Sequence, residues 1–507
     1  MMKKMLALLT VWCVPTVMSA QEVDVEQAAA TITEDDYAWR IGVIAHDSMQ
    51  GRNTPSPGLD KTAEWIASEF RRFGLRGGAE NGGFIQRYPL EEVVLDAEAS
   101  GMTAGATRLG FGADLLPLFG SPSDLEVTSD LVIVSGSTEP DALVDEEVQG
   151  KHVVVVLGPD QTVGRDVFGL IMAVRSAGPS SVMITSPADD VAWDGQAARS
   201  LRPSVRWPGN EDGRGGGPPL LQVRLSSLER MIATSGLSVA DLQARSGGPV
   251  QVRPVPEVAA TLTQRVTVRQ ASAPNVVGIL DGSDPVLKDE YVVFSGHMDH
   301  VGIGTPDENG DSIFNGADDD ASGTISVVET AEAMASLATP PRRSMVFLAV
   351  SGEEKGLWGS RYYADHPSVP IEQLVANINA DMVGRNWSDT IVAIGKEHSD
   401  LGETLEKVNG RHPELRMTAI DDIWPEERFY FRSDHYNFAR KGVPILFFFN
   451  GTHDDYHGLD DEPERIDAEK AARITRLLFY LGVEIGNAEE RPKWNPESYE
   501  RIVSDGV

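Results

Sequence analysis

From Asn275 onward, short apolar runs alternate with amphipathic stretches, and clusters of acidic and imidazole residues stand directly behind one apolar run after another. The runs at 276–280, 291–295, 345–350, 375–379, 391–394 and 445–449 have strand length, and helical spacing recurs at 323–337, 357–365, 401–411 and 468–485. This alternation predicts an α/β fold, a mixed, largely parallel, doubly wound sheet with helices on both faces. Sheets of that kind carry their sites at the carboxyl ends of the strands.

The polar clusters fall where such a site would lie. Gly296-His297-Met298-Asp299-His300 follows the 291–295 run, and Gly352-Glu353-Glu354-Lys355-Gly356 follows 345–350. Asn379-Ala380-Asp381-Met382 closes the 375–379 run, and His453-Asp454-Asp455-Tyr456-His457 lies beyond 445–449. A fifth cluster, Asn315-Gly316-Ala317-Asp318-Asp319-Asp320-Ala321-Ser322-Gly323, leads into a helix. Taken singly, each has an ordinary explanation: a His-x-Asp pair on the surface, a solvated Glu-Glu, an acidic triplet that suits the positive end of a helix. Together, converging on one rim, they make the setting of a carboxylate and imidazole metal site.

The rest of the chain reads as three further segments and a tail. Lys3 and Lys4 before a short apolar stretch at 5–14, and small residues at Ser19 and Ala20, mark residues 1–20 as an export signal, so the protein is expected in the periplasm or outside the cell. The single cysteine, Cys13, lies inside it, so a processed chain has no thiol for a disulfide or a metal. Residues 21–112 begin with two amphipathic helices, split by a Pro- and Gly-containing loop at 53–58, and continue with Gly-rich short strands. The Val-rich runs at 131–134 and 152–157 belong to a separate module expected at 113–256, followed by the main domain at 257–487 and a polar tail at 488–507.

Charge excludes some partners. The sequence of 507 residues has a net charge of −33, and a surface that acidic repels nucleic-acid backbones and anionic lipid. No internal apolar run reaches the ~18–20 residues of a membrane helix, so no stable membrane span is expected after signal cleavage.

Gly296-His297-Met298-Asp299-His300, Gly316 to Gly323, Gly352 to Leu357, Asn379 to Met382 and Tyr456-His457 resemble the successive motifs of the M28 zinc aminopeptidases, over about residues 265–485. The resemblance implies a zinc exopeptidase fold, peptide substrates and two zinc ions per chain. It assigns one ion to His297 and Asp381 and the other to Glu354 and His457, with Asp318 bridging and the Asp318–Asp319 bond in cis. Glu353 is then the general base, and Asp299 holds the second ring nitrogen of His297. Tyr456 is an oxyanion donor or a packing aromatic. The 113–256 module resembles the protease-associated (PA) domain, an α+β insertion, through Gly150-Lys151-His152 before a Val-rich strand and the helix before Val182.

Other readings stay open. The same core serves carboxypeptidases and dipeptidases, for which Arg385, Arg428, Arg432 and Arg440 are candidate carboxylate partners. Glutaminyl cyclisation on a one-zinc core, or a peptidase-like binding protein without catalysis, would be marked by lost ligands, and none is lost. His300, His435 and His453 are read as supporting or substrate-lining residues. An acidic loop, Asp421, Asp422, Glu426 and Glu427, is either solvated or attracts a peptide's α-ammonium group. The oligomeric state is not legible.

Overall fold

The computed structural model describes residues 20–119, 121–136, 145–159, 161, 165–186, 189–210 and 217–504. Residues 1–19, which hold nearly all of the expected export signal, lie outside them. The chain forms two compact units, one of residues up to Tyr88 and from Ala273 onward, the other of Pro89–Ser272.

The first unit holds a mixed sheet. Its strands run in the order Thr418–Ile420, Thr390–Ile394, Ile445–Phe449, Leu374–Ala380, Tyr291–His297, Ser344–Val350 and the second half of Val266–Leu280. The four from Ile445–Phe449 to Ser344–Val350 pair in parallel, while Thr390–Ile394 and Val266–Leu280 join antiparallel. The parallel strands are buried on both faces, as a sheet covered by helices requires, and this is why they read as continuous apolar runs. The helices Gly323–Ser336 and Ala468–Asn487 pack against each other and the Tyr291–His297 strand, and Glu34–Ile44 packs against both helices. Pro57–Arg72 is capped by Ser56, whose hydroxyl accepts the Leu59 N–H, and buries Leu59, Ala63, Ile66 and Phe70 on one stripe.

The second unit is built on an eight-stranded sheet in the order Thr107–Gly110, Gly101–Ala104, Gln251–Gln264, Leu125–Ser135, His152–Val156, Ser181–Ser186, Leu220–Arg224 and Leu115–Phe119. Alternation along a strand feeds two separate cores. Leu131 and Ile133 enter one, with Val154 and Met183, while Val132 and Val134 enter the other, with Val153, Leu170 and Val174.

Two expected boundaries are corrected. The second unit begins at 89 rather than 113 and ends at 272 rather than 256. The Gly-rich stretch at 101–110 is a hairpin whose inner strand pairs with Gln251–Gln264, in the register Ala104↔Ala260 to Gly101↔Thr263. The stretch from 488 is no loose tail as far as it is described. Ile502 is fully buried, the Trp494 indole donates to the Gly442 carbonyl at 2.8 Å, and the Asn495 N–H donates to the His398 carbonyl at 2.8 Å. Among the described residues no helix is long and apolar enough to cross a membrane.

Candidate metal centre

The parallel register brings the polar clusters to one edge. His297 is the last residue of its strand and lies opposite Val350, the last of the next. Glu353 and Glu354 follow Val350 in a tight turn, and Asp381 follows Ala380, whose strand partner is Phe448. His457 reaches the edge from the loop beyond Phe449, with φ of 54°.

The donor atoms form two groups that share one carboxylate. Asp319 places Oδ1 3.3 Å from His297 Nε2 and Oδ2 3.1 Å from His457 Nε2. Asp381 Oδ1 lies 3.7 Å from His297 Nε2, and Glu354 Oε1 lies 3.1 Å from His457 Nε2 and 3.0 Å from His300 Nδ1. One group is therefore His297, Asp319 and Asp381; the other is His300, Asp319, Glu354 and His457.

This geometry corrects the expected register of the aspartate triplet. Asp319, not Asp318, stands between the histidines, and the cis bond is Asp319–Asp320. The Asp461 carboxylate accepts the N–H groups of both Asp318 and Asp319, fixing the turn. The Asp318 side chain then faces away from the shared position. Its Oδ1 accepts the Gly384 N–H at 2.6 Å, and its Oδ2 lies 3.4 Å from His453 Nε2. Asp299 also acts differently from expectation. Its backbone carbonyl, 3.2 Å from His297 Nδ1, holds the ring, while its carboxylate stands 3.8 Å off. That carboxylate instead accepts the Thr54 hydroxyl at 2.9 Å and the Glu353 N–H at 3.3 Å.

Several supporting residues gave no signal in the sequence. Arg52 is fully buried and donates to the carbonyls of Ile44, Met298, Asn315 and Gly316, so it ties two donor loops to the N-terminal helices. Asp320 accepts the N–H groups of His297, Gly323 and Met382, joining three of the clusters at one carboxylate. The Ser433 hydroxyl donates to Asp381 Oδ2 at 2.9 Å. Asp320 lay inside a recognised motif, but nothing in the pattern separated its task from that of its neighbours.

The electrostatics and the orphaned atoms show what the groups are built to hold. Burial alone would keep His297 neutral, yet Asp320, Asp381 and Asp319 outweigh it and raise its pKa well above the ordinary value. His457 is likewise pushed up to about 10, burial being overcome by Asp319 and Glu354. Burial raises the Glu353 pKa, and Asp434, Asp381 and Glu354 add to the effect. The site is a surplus of buried negative charge that calls for cations. Asp319 Oδ2, Glu354 Oε1 and His300 Nδ1 are buried without an aligned hydrogen-bond partner. Imidazole nitrogens and carboxylate oxygens are zinc donors, and the residues present fit two ions.

An open pocket of about 420 Å³ adjoins the centre, lined by His297, Asp319, Glu353 and Asp381, by Met382, Phe429, Phe447 and Phe449, and by Arg432, Ser433, Thr452 and Tyr456. Tyr456 also stacks on His457, with ring centroids 4.0 Å apart. None of the four acidic-loop carboxylates is among its walls: Asp421 pairs with Lys396 at 2.6 Å, and Glu427 lies 3.5 Å from Arg432. Of the four candidate arginines only Arg432 lines it, while Arg385 is held by Asp455 at 2.8 Å.

Fold and donor set together define an α/β protein with a candidate metal centre of the carboxylate and imidazole type. Residues 275–482 match the model of peptidase family M28. Aminopeptidase YwaD of Bacillus subtilis is 27% identical over 256 residues, which cover 48% of this chain and 52% of that protein. A probable zinc metalloprotease of Leptosphaeria maculans is 34% identical over 200 residues, covering 34% and 45%. The chain thus spans about half the length of the curated relatives it matches. Among solved structures, a zinc aminopeptidase from Bacillus subtilis shares the fold with a TM-score of 0.55 at 17% identity, over 94% of this chain and 97% of that one. An aminopeptidase from Aneurinibacillus sp. strain AM-1 gives 0.53 at 17% identity, over 90% and 95%.

Proposed function

We propose that the protein is a zinc-dependent aminopeptidase that releases N-terminal residues from peptides, using two zinc ions per chain. The observation that carries this reading is the shared carboxylate: Asp319 offers one oxygen to each donor group, beside a pocket that Glu353 also lines. His297, Asp319 and Asp381 would hold one ion, and Asp319, Glu354 and His457 the other. When bound, the ions supply Lewis acidity toward the scissile carbonyl and positive charge for the tetrahedral state. Glu353 takes a proton from the attacking water onto its carboxylate and passes it to the leaving amine nitrogen. The Tyr456 hydroxyl, on the same pocket wall, donates to the developing oxyanion. Asp299 holds the His297 ring through its carbonyl and the Glu353 backbone through its carboxylate, coupling donor and base.

The names of the relatives, aminopeptidase and zinc aminopeptidase, support the direction along the peptide. The position of Arg432 favours a second reading, in which a free carboxylate of the substrate is recognised. A panel of free, N-acetylated and C-amidated peptides separates the two. Cleavage of free and amidated peptides with loss on acetylation supports the aminopeptidase; a requirement for the free carboxylate supports the alternative. Export rests on the Lys3-Lys4 signal, and mass analysis of the mature N-terminus tests it. Residues 113–256, within the Pro89–Ser272 unit, are read as PA-like on the Gly150-Lys151-His152 run before the Val-rich strand and on the helix before Val182.

A further inference from the structure

We infer that His300 is a third imidazole ligand of the metal pair, so that one ion is held by four protein donors and the other by three. This rests on the two-metal reading above. In a tetrahedral zinc site with bonds of ~2.0–2.1 Å, neighbouring donors stand about 3.4 Å apart. His300 Nδ1 lies 3.0 Å from Glu354 Oε1 and 3.6 Å from Asp319 Oδ2, and His457 Nε2 lies 3.1 Å from each of the same oxygens. All four donor atoms fall within 4.8 Å of one another.

The contacts are not hydrogen bonds in disguise. His300 Nδ1, Glu354 Oε1 and Asp319 Oδ2 are buried, yet none has an aligned hydrogen-bond partner, so the atoms converge on a common point instead of on one another. The imidazole is also firmly seated. His300 is fully buried, its backbone N–H donates to the Arg52 carbonyl at 3.3 Å, and Gly316 stands beside the ring. A Cβ at Gly316 would stand 2.5 Å from His300 Cγ, and φ of 54° there already suits glycine.

The pocket supplies independent support. His297, Asp319 and Asp381 are among its walls, whereas His300, Glu354 and His457 are not. A position with four protein donors is closed, as in structural zinc sites, and one with three keeps room for substrate. The His300 position is therefore the ion held by more donors, and the His297 position, whose donors all line the pocket, is the one that meets the substrate.

X-ray absorption on the two-zinc wild-type protein counts ligands directly. The inference expects three imidazoles per zinc pair; two imidazoles overturn it. His300→Gln is then compared with wild type by metal content after graded chelation and by the visible spectrum of the cobalt-substituted protein. Wild type should retain one ion under chelation that removes the other. The variant should lose that retention by more than the roughly 10–100-fold that loss of an outer partner costs, and its tetrahedral cobalt bands should change. Equal retention and an unchanged spectrum would overturn the role of His300 while leaving the two-metal reading intact. A wild-type protein that binds no zinc, or only one ion at saturation, would overturn both. The ligand count on wild type stands even where the variant does not fold.

Discussion

The carboxylate of Asp461 accepts the backbone N–H of Asp319 at 3.1 Å across 142 positions of sequence, and it accepts the N–H of Asp318 as well. It thereby sets which member of the aspartate triplet faces both histidines. Asp461→Ala should leave the donors present but loosely aimed. Zinc affinity should fall about 10–100-fold, the usual cost of losing an outer partner, read by equilibrium dialysis. Unchanged affinity would show that the turn is held without Asp461.

The triplet itself gives a sharper comparison. Asp319→Asn should remove the oxygen pair common to the two donor groups, and metal content should drop for both ions. Asp318→Asn keeps the shared position and alters only the contacts to Gly384 and His453. Its zinc content should stay near wild type, with at most a modest loss of stability. The reverse pattern would restore the register expected from sequence.

Glu353 and Glu354 are adjacent in sequence but stand in different places. Glu354 Oε1 lies among the donors, with His300 and His457 at 3.0 and 3.1 Å, and Glu353 lines the pocket. Glu353→Gln should keep both ions and lose at least ~10²–10⁴ in kcat, the contribution of a positioned base. Glu354→Gln should release zinc at lower chelator concentration. Metal loss confined to the Glu353 variant would invert the assignment.

Much of this centre was legible before any coordinates, and the reasons for the rest are physical. Parallel strands buried on both faces must be apolar at every position, so the 291–295 and 345–350 runs announced themselves and their carboxyl ends followed. Which of three identical aspartates faces both His297 and His457 depends on the turn and on Asp461, and no pattern in Asp318-Asp319-Asp320 encodes it. Arg52 was invisible because its partners are all backbone carbonyls, which leave no mark in side-chain identity. The Gly-rich short strands at 101–110 were legible, but not their place in the second unit's sheet, because they have four residues each and pair with a strand far along the chain.

Arg52 lends itself to a stability test. Burial lowers its pKa to about 10, still well above neutrality, so the buried guanidinium is charged and donates to all four carbonyls. Arg52→Met keeps the length of the side chain and removes the donor of the Ile44, Met298 and Asn315 carbonyls, while Gly316 keeps the Ala321 N–H. At about 1–3 kcal/mol for each group left unsatisfied, with partial repair by water, the loss should reach at least ~3 kcal/mol. A urea midpoint that does not shift would show that the donor loops are held elsewhere.

His435 gives the pH dependence. Its ring stacks on Phe447 with centroids 4.3 Å apart, its Nε2–H donates to the Tyr430 carbonyl at 2.8 Å, and burial pushes its pKa from 6.5 down to about 3. The folded protein therefore keeps His435 neutral at pH values where the unfolded chain takes up a proton. Its contribution to stability is complete above pH 6.5 and is lost progressively as pH falls from 6.5 toward 3, by about 1.4 kcal/mol per pH unit once the unfolded histidine is fully protonated. His435→Gln removes this proton. In urea titrations of the metal-free proteins between pH 6.5 and 4, the variant should start less stable, having lost the stacking on Phe447, but its stability should fall less steeply by up to one proton. Parallel slopes for the two proteins would mean that His435 already gains its proton in the folded state, and that its burial among Phe447 and Tyr430 opens before the protein unfolds.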